Sequence, residues 1–163
     1  LFPLPVSFNK GPDVAVGPGS HCPFNSQNTR WWPDAFPLLY LPFHCSFRMT
    51  DIWRSFVAQR VLAARGEGVL FHAATVYQDR NEHDLMRDFR DEIEGYTKNA
   101  EIMLRLNQLT LSGNPEHVFD NLKLCYDCLI NIGVVHSDER ELLAAWSDDC
   151  LALFAPTTTK EGL

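Results

Sequence analysis

Two stretches of the sequence decide the fold: FPLLYLPFHCSFRMTDIWRSFVAQR, at residues 36–60, and GVLFHAATVYQDRNEHDLMRDFRDE, at residues 68–92. In each stretch, an apolar segment is followed by a group of polar side chains. α/β proteins place their sites on loops at the ends of such buried elements, because a rigid scaffold holds those loops in position. The two stretches therefore predict an α/β protein with one site between their polar ends, and the residue types favour a sugar ligand.

The apolar pattern also predicts the separate elements. Residues 36–41 are typical of a short buried strand, residues 51–65 of a helix packed on several sides, and residues 68–78 of a central strand covered on both faces. Two further helices are predicted over residues 116–131 and 138–154. Between these elements, a helix after residue 81 is expected to bury the stripe Leu85, Met86, Phe89 and Ile93.

Composition limits the class of protein. The chain has 163 residues, of which 45% are hydrophobic and 21% charged, as in a globular domain with a core. A net charge of -7 argues against nucleic acid as a partner, since phosphate binding needs clustered Lys and Arg. No apolar run is long enough to form a membrane segment, and the chain begins with Leu, so we expect a fragment of a longer protein.

The sequence contains five cysteines, an odd number, so at least one thiol cannot pair within the chain. Cys125 and Cys128 form the only C-x-x-C spacing, within an apolar helical pattern. Buried helical thiols explain this spacing better than a redox pair, because no thioredoxin-like βαβ pattern surrounds it.

The start of the helix at residues 51–65 is the first candidate site. The spacing of Asp51, Arg54 and Ser55 places them on one face of the first turn, with Arg48 just outside it. Asp51 is a candidate general base, because a carboxylate at a helix N-terminus beside a guanidinium stays ionised. The alternative is that Asp51 only favours the helix start and pairs with Arg48 or Arg54.

The second candidate site follows the predicted central strand and comprises Gln78, Asp79, Arg80, Asn81, Glu82, His83 and Asp84. Its amides and guanidinium can bind sugar hydroxyls and phosphates, and His83 can carry a proton or bind a divalent metal. The alternative is helix capping by Asn81 and Asp84, which have the spacing of a capping pair.

The segment HCPFNSQNTRWW, at residues 21–32, is a third polar region. Its aromatic and amide side chains suit a sugar or nucleobase ring. It is equally well explained as an ordered surface loop that Trp31 and Trp32 attach to the core.

In four of its segments the sequence resembles the STELLO family of Golgi proteins. The segments are PFNSQNT at residues 23–29, FPLLYLP at 36–42, SFRMTDIWRSFVAQR at 46–60 and VYQDRNEHDLMRDFRDE at 76–92. The resemblance implies a glycosyltransferase-like domain in a membrane-anchored Golgi protein, on the lumenal side. It also implies a role in polysaccharide biosynthesis, either in sugar transfer or as a scaffold, since plant members assist assembly and trafficking of cellulose synthase.

The resemblance implies a division of the chain into three parts. Residues 1–30 would be a Pro- and Gly-rich lead-in, residues 31–112 the C-terminal half of a GT-A-like α/β sheet that binds nucleotide sugars, and residues 113–163 a helical extension. The acidic metal motif of such folds would lie upstream, as no D-x-D occurs here. We therefore expect the chain alone to be inactive.

The resemblance also carries over a set of site residues. Asp51 would activate a hydroxyl of the glycan acceptor, and Arg48 and Arg54 would orient acceptor or phosphate. His83 would complete a Mn or Mg site. The other residues carried over as substrate-binding are Asn25, Gln27, Thr29, Gln78, Arg80, Asn81 and Asp84. Gln59 is also carried over, without an assigned role. Other glycan-synthesising enzymes are the implied protein partners.

Overall fold

The computed structural model describes residues 11–17, 19–77, 79 and 82–154, with the backbone alone at residue 154. Four α-helices make up most of this part: α1 (Thr50–Ala64), α2 (Leu85–Asn107), α3 (Val118–Ile132) and α4 (Glu139–Phe154). Short 3-10 helices span Pro33–Leu39, Phe47–Met49 and Pro115–His117. Strands β1 (Val14–Ala15) and β2 (Leu70–Phe71) pair antiparallel, with Val14 opposite Phe71.

Helix α1 is the centre of the core and packs against α2, α3 and both 3-10 helices that precede it. Its Trp53, Phe56, Val57 and Val61 side chains are buried. Because the apolar residues cover most of its circumference, α1 can be surrounded by other elements, as the sequence predicted.

Helix α2 reaches the core through its second half, where Ile102 and Leu106 are buried. Gly95 lies at the crossing with the segment before α1, and a Cβ at this position would overlap the Met49 side chain. The absent side chain therefore permits close approach, and α2 continues through this residue to Asn107.

The prediction of a GT-A-like α/β sheet is wrong. The described residues are mostly helical, and β1 and β2 are the only strands among them. Residues 36–41 belong largely to the 3-10 helix Pro33–Leu39, since Pro33 and Pro37 fit its φ angle and lack the N–H that a sheet requires. The expected central strand is reduced to β2, and Tyr77, near its predicted end, is 91% exposed.

The prediction of which α2 side chains are buried is also wrong. Leu85, Met86, Phe89 and Ile93 are all exposed, and the buried face of α2 is the one that carries Gly95, Ile102 and Leu106. The period of the pattern predicted a helix correctly, but α2 has a second apolar face that no described residue covers.

The predicted helices 51–65, 116–131 and 138–154 correspond to α1, α3 and α4 within two residues at each end. One core contains side chains of α1, α2 and α3 together. The division into parts at residues 30 and 112 stays a prediction. Among the described helices, none has the length and hydrophobicity needed to cross a bilayer. All five cysteines are free thiols.

Candidate functional site

A row of polar side chains on α1 holds the segment of residues 21–29, here called the anchored loop. Asp51, Ser55 and Gln59 follow one another at four-residue spacing, so they lie on one face of the helix. Each accepts a hydrogen bond from a backbone N–H of the loop. The three bonds run from Ser26 N to Asp51 Oδ2 (3.0 Å), from Phe24 N to Ser55 Oγ (3.2 Å) and from Cys22 N to Gln59 Oε1 (2.9 Å).

Gln59 binds the loop twice, because its Nε2 also donates to Cys22 O at 2.9 Å. A primary amide has both a donor and an acceptor, so the Gln59 side chain can bond the N–H and the C=O of one residue, as a neighbouring β-strand would. The backbone groups of Cys22, which have no strand beside them among the described residues, thus obtain hydrogen-bond partners from α1.

Arg54 lies beneath the same loop and is only 2% exposed. Its Nη2 donates to Ser26 Oγ at 3.1 Å, and its guanidinium lies 5.5 Å from the Phe24 ring centre and 4.9 Å from that of Trp31. Burial lowers the pKa of Arg54, and the nearby charge of Asp51 partly opposes that effect. These contacts make Arg54 a support of the loop, and a ligand would reach it only after the loop had moved.

Asp51 is half-buried in the first turn of α1, at the rim of the anchored loop. Its Oδ2 is held by Ser26 N, and within the described part of the chain no hydrogen bond occupies Oδ1. The carboxylate is therefore fixed in orientation with one oxygen left to accept a proton or a ligand hydroxyl.

A second cluster joins the start of α1 to the start of α2. Arg48 forms an ion pair with Asp88, and Asp88 Oδ2 lies 2.9 Å from His83 Nδ1. The Nη2 of Arg48 lies 3.3 Å from the same His83 nitrogen. The hydrogen bond from Arg48, and less strongly that from His83, lowers the pKa of Asp88. The structure thus brings together Arg48 and His83, one from each of the two predicted polar groups.

The remaining predicted residues of the anchored loop shape the loop itself. Asn25 Oδ1 accepts from Gln27 N at 3.0 Å, and Thr29 Oγ1 donates to Asn25 O at 2.9 Å. Such bonds form a local turn, in which short polar side chains replace backbone partners. Their predicted role in substrate binding stays a prediction.

Asp84 is the N-cap of α2, and its Oδ1 accepts from Met86 N and Arg87 N at 3.1 Å each. The sequence had left helix capping open as an alternative, but with Asn81 as the N-cap and Asp84 three residues after it; in the structure Asp84 is itself the N-cap. The predicted ligand-binding residues Gln78, Arg80 and Asn81 lie outside the described residues.

The described residues do not form a built site for the expected Mn or Mg ion. Among the described residues, Asp88 is the only carboxylate within ion-pair distance of His83, and its charge is already paired with Arg48. No group of three His, Cys, Asp or Glu side chains in the described ranges is arranged to hold a metal. Such ions require several oxygen ligands, so the metal role of His83 stays a prediction.

A cavity of about 400 Å³ lies between the segment after β1 and the C-terminal half of α1, and it borders the first cluster at His21 and Gln59. Val16, His21, Arg60 and Asn107 are among its lining residues. Neither this cavity nor the ion pair of Asp88 could be predicted from the sequence, because both depend on contacts between distant segments.

The model of the family STELLO glycosyltransferases matches residues 48–155, which is more than half of the chain. Both clusters have residues in the matched region, Arg48 and Asp51 among them, while the anchored loop precedes it. No curated protein and no protein of solved structure is significantly similar to the chain.

Proposed function

Because the chain belongs to the family of STELLO glycosyltransferases, we propose that it forms the acceptor side of a Golgi glycosyltransferase-like protein. In this proposal the protein, on the lumenal side of the Golgi membrane, transfers a sugar from a nucleotide sugar to a glycan or related acceptor. The observation that carries the proposal is the Asp51 carboxylate, fixed by Ser26 N through one oxygen. Its other oxygen is the proton acceptor of the reaction.

In sugar transfer, an acceptor hydroxyl attacks the anomeric carbon while the nucleoside diphosphate leaves with the electron pair of the broken bond. Asp51 accepts the hydroxyl proton, so the attacking oxygen gains negative character as the new bond forms. A base must lie within hydrogen-bond reach of that hydroxyl, and its orientation must be set before the substrate arrives. The anchored loop supports this orientation through the hydrogen bond from Ser26 N.

The two clusters have different parts in the proposal. Arg54 and Ser55 hold the anchored loop, and through the loop they hold Asp51. Arg48 and His83, which are part-exposed and lie together, bind polar groups of the acceptor. Arg48 keeps its charge while paired with Asp88, and the charged pair can still donate to a ligand oxygen.

The test measures sugar transfer from a panel of labelled nucleotide sugars to oligosaccharide acceptors, by the protein that contains this chain. We expect Asp51→Asn to reduce transfer about 100-fold or more, because the amide cannot accept the proton. Asp120→Asn is the matched control, since Asp120 is an exposed aspartate in the first turn of α3. Equal transfer by the wild type and Asp51→Asn would eliminate the catalytic role of Asp51.

A second candidate function is a non-catalytic scaffold that assists assembly or trafficking of polysaccharide synthases. The exposed stripe of α2, which includes Phe89 and Ile93, favours it, because an uncovered apolar helix face is a common protein-binding surface. Phe89→Ser with Ile93→Ser should then abolish co-purification of a synthase, and Leu124→Ser, an exposed position on α3, should not. Asp51→Asn should retain the partner, which separates the two functions.

A further inference from the structure

Glu139, the first residue of α4, is a fully buried carboxylate that holds a distant segment of the chain. It accepts hydrogen bonds from His44 N at 2.7 Å, from Phe43 N at 3.0 Å and from the Tyr40 hydroxyl. A buried charge needs such donors to replace water. Residues 40–44 are therefore fixed on the protein surface by the Glu139 side chain beneath them.

This fixed segment displays an aromatic ring to solvent. Tyr40 and Pro42 point inward and are buried, while Leu41 is exposed and Phe43 is 75% exposed. The backbone N–H of Phe43 is hydrogen-bonded to both oxygens of Glu139, which holds this residue in place. An apolar group held in this way loses little freedom when a ligand binds to it.

His44 places a polar group beside that ring. Its Nδ1 lies 3.2 Å from Glu139 Oε2, and its ring meets the Phe43 ring edge-on, with 5.1 Å between their centres. When Nδ1 carries the proton and donates to the carboxylate, Nε2 is the acceptor. No hydrogen bond to this nitrogen occurs in the part of the chain that the structure describes. The ring of His136 lies beside the ring of His44, with 6.2 Å between their centres.

We propose that Phe43 and His44 form an oligosaccharide-binding subsite, separate from the Asp51 site. The apolar face of a pyranose ring stacks on Phe43, and one of its hydroxyls donates to His44 Nε2. Small-ligand sites combine aromatic side chains with a small number of precisely placed polar groups, and here Glu139 holds both kinds of group in position. The inference rests on the proposed function for the class of ligand, and on the geometry of residues 40–44 for the location.

The test is titration of the 163-residue chain with neutral hexasaccharides of glucose, xylose and mannose, followed by NMR and calorimetry. We expect at least one hexasaccharide to bind and to shift the His44 ring signals. Phe43→Ala and His44→Ala should each weaken binding about tenfold or more, which corresponds to about 1.4 kcal/mol. The matched control is Phe47→Ala, because Phe47 is another exposed aromatic, at 86%, in the neighbouring 3-10 helix.

Two results would overturn the subsite: no binding of any hexasaccharide at millimolar concentration, or equal weakening by Phe43→Ala and Phe47→Ala. Circular dichroism of each variant shows whether it is folded, and both aromatic positions are exposed enough to tolerate the change. Asp51→Asn separates this inference from the proposed function. In the 163-residue chain this variant should retain hexasaccharide binding, and in the longer protein that contains the chain it should lose transfer, so either idea can fail without the other.

Discussion

Replacement of Glu139 is expected to have a large effect on stability, and its size follows from the donors that the carboxylate satisfies. In Glu139→Ala the Tyr40 hydroxyl and the backbone N–H groups of Phe43 and His44 lose their acceptor. Each unsatisfied buried donor costs about 1–3 kcal/mol, and part-buried groups recover some of this from water. We therefore expect the free energy of unfolding to fall by about 4 kcal/mol, which for a chain of this size lowers the Tm by about 8–16 °C.

The assay is urea unfolding followed by circular dichroism, with the thermal midpoint as a second measurement. Glu141→Ala is the control, because Glu141 is an exposed glutamate in the same first turn of α4. It should cost less than about 1 kcal/mol, through the helix dipole alone. Glu139→Gln should fall between the two, since the amide keeps the shape and one acceptor. A loss below about 1 kcal/mol for Glu139→Ala would refute the reasoning, because three donors would then have no need of this acceptor.

Two further predictions concern ionisation. The lowered pKa of Asp88 means that its pairing with Arg48 contributes stability above the unfolded-state pKa, and that the contribution is lost as the pH falls through the folded-state value. The urea midpoint of the wild type should therefore decrease more steeply below about pH 4 than that of Asp88→Asn, and parallel curves would contradict this. Burial raises the pKa of the Cys125 thiol to about 12, so a disulfide reagent at about pH 8 should modify exposed Cys22 and spare Cys125 in the native chain. Similar rates at the two thiols would show that the α3 core opens readily.

The helices of the chain could be predicted from sequence, but its sheet could not. In α1, α3 and α4, apolar period and end signals agree, so each boundary falls within two residues of its prediction. Residues 36–41 are a short apolar run, which by itself fits a strand or a buried turn of helix. Pro33 and Pro37 favour the 3-10 helix over a strand, because a proline has no N–H to donate to a neighbouring strand. The low charge of residues 68–78 predicted burial, but the described residues 68–77 are exposed or only partly buried.

The sequence predicted which side chains share a face of α1, but not what those side chains contact. The shared face of Asp51 and Ser55 follows from helical spacing alone, and the structure confirms it. That this face would hold residues 21–29 could not be read from spacing, since the segments are more than 20 residues apart. The pairing of Arg48 with Asp88, and of Tyr40 with Glu139, likewise depends on how helices meet in the folded chain.

The three hydrogen bonds from the anchored loop to Asp51, Ser55 and Gln59 require a fixed spacing of these residues along α1. One inserted residue between Asp51 and Gln59 would rotate the rest of the helix by about 100° and shift it by about 1.5 Å. Gln59 would then point away from Cys22 while Asp51 still held Ser26. Changes in chain length are for this reason expected to be harmless at the ends of the loop and damaging within those nine positions of the helix.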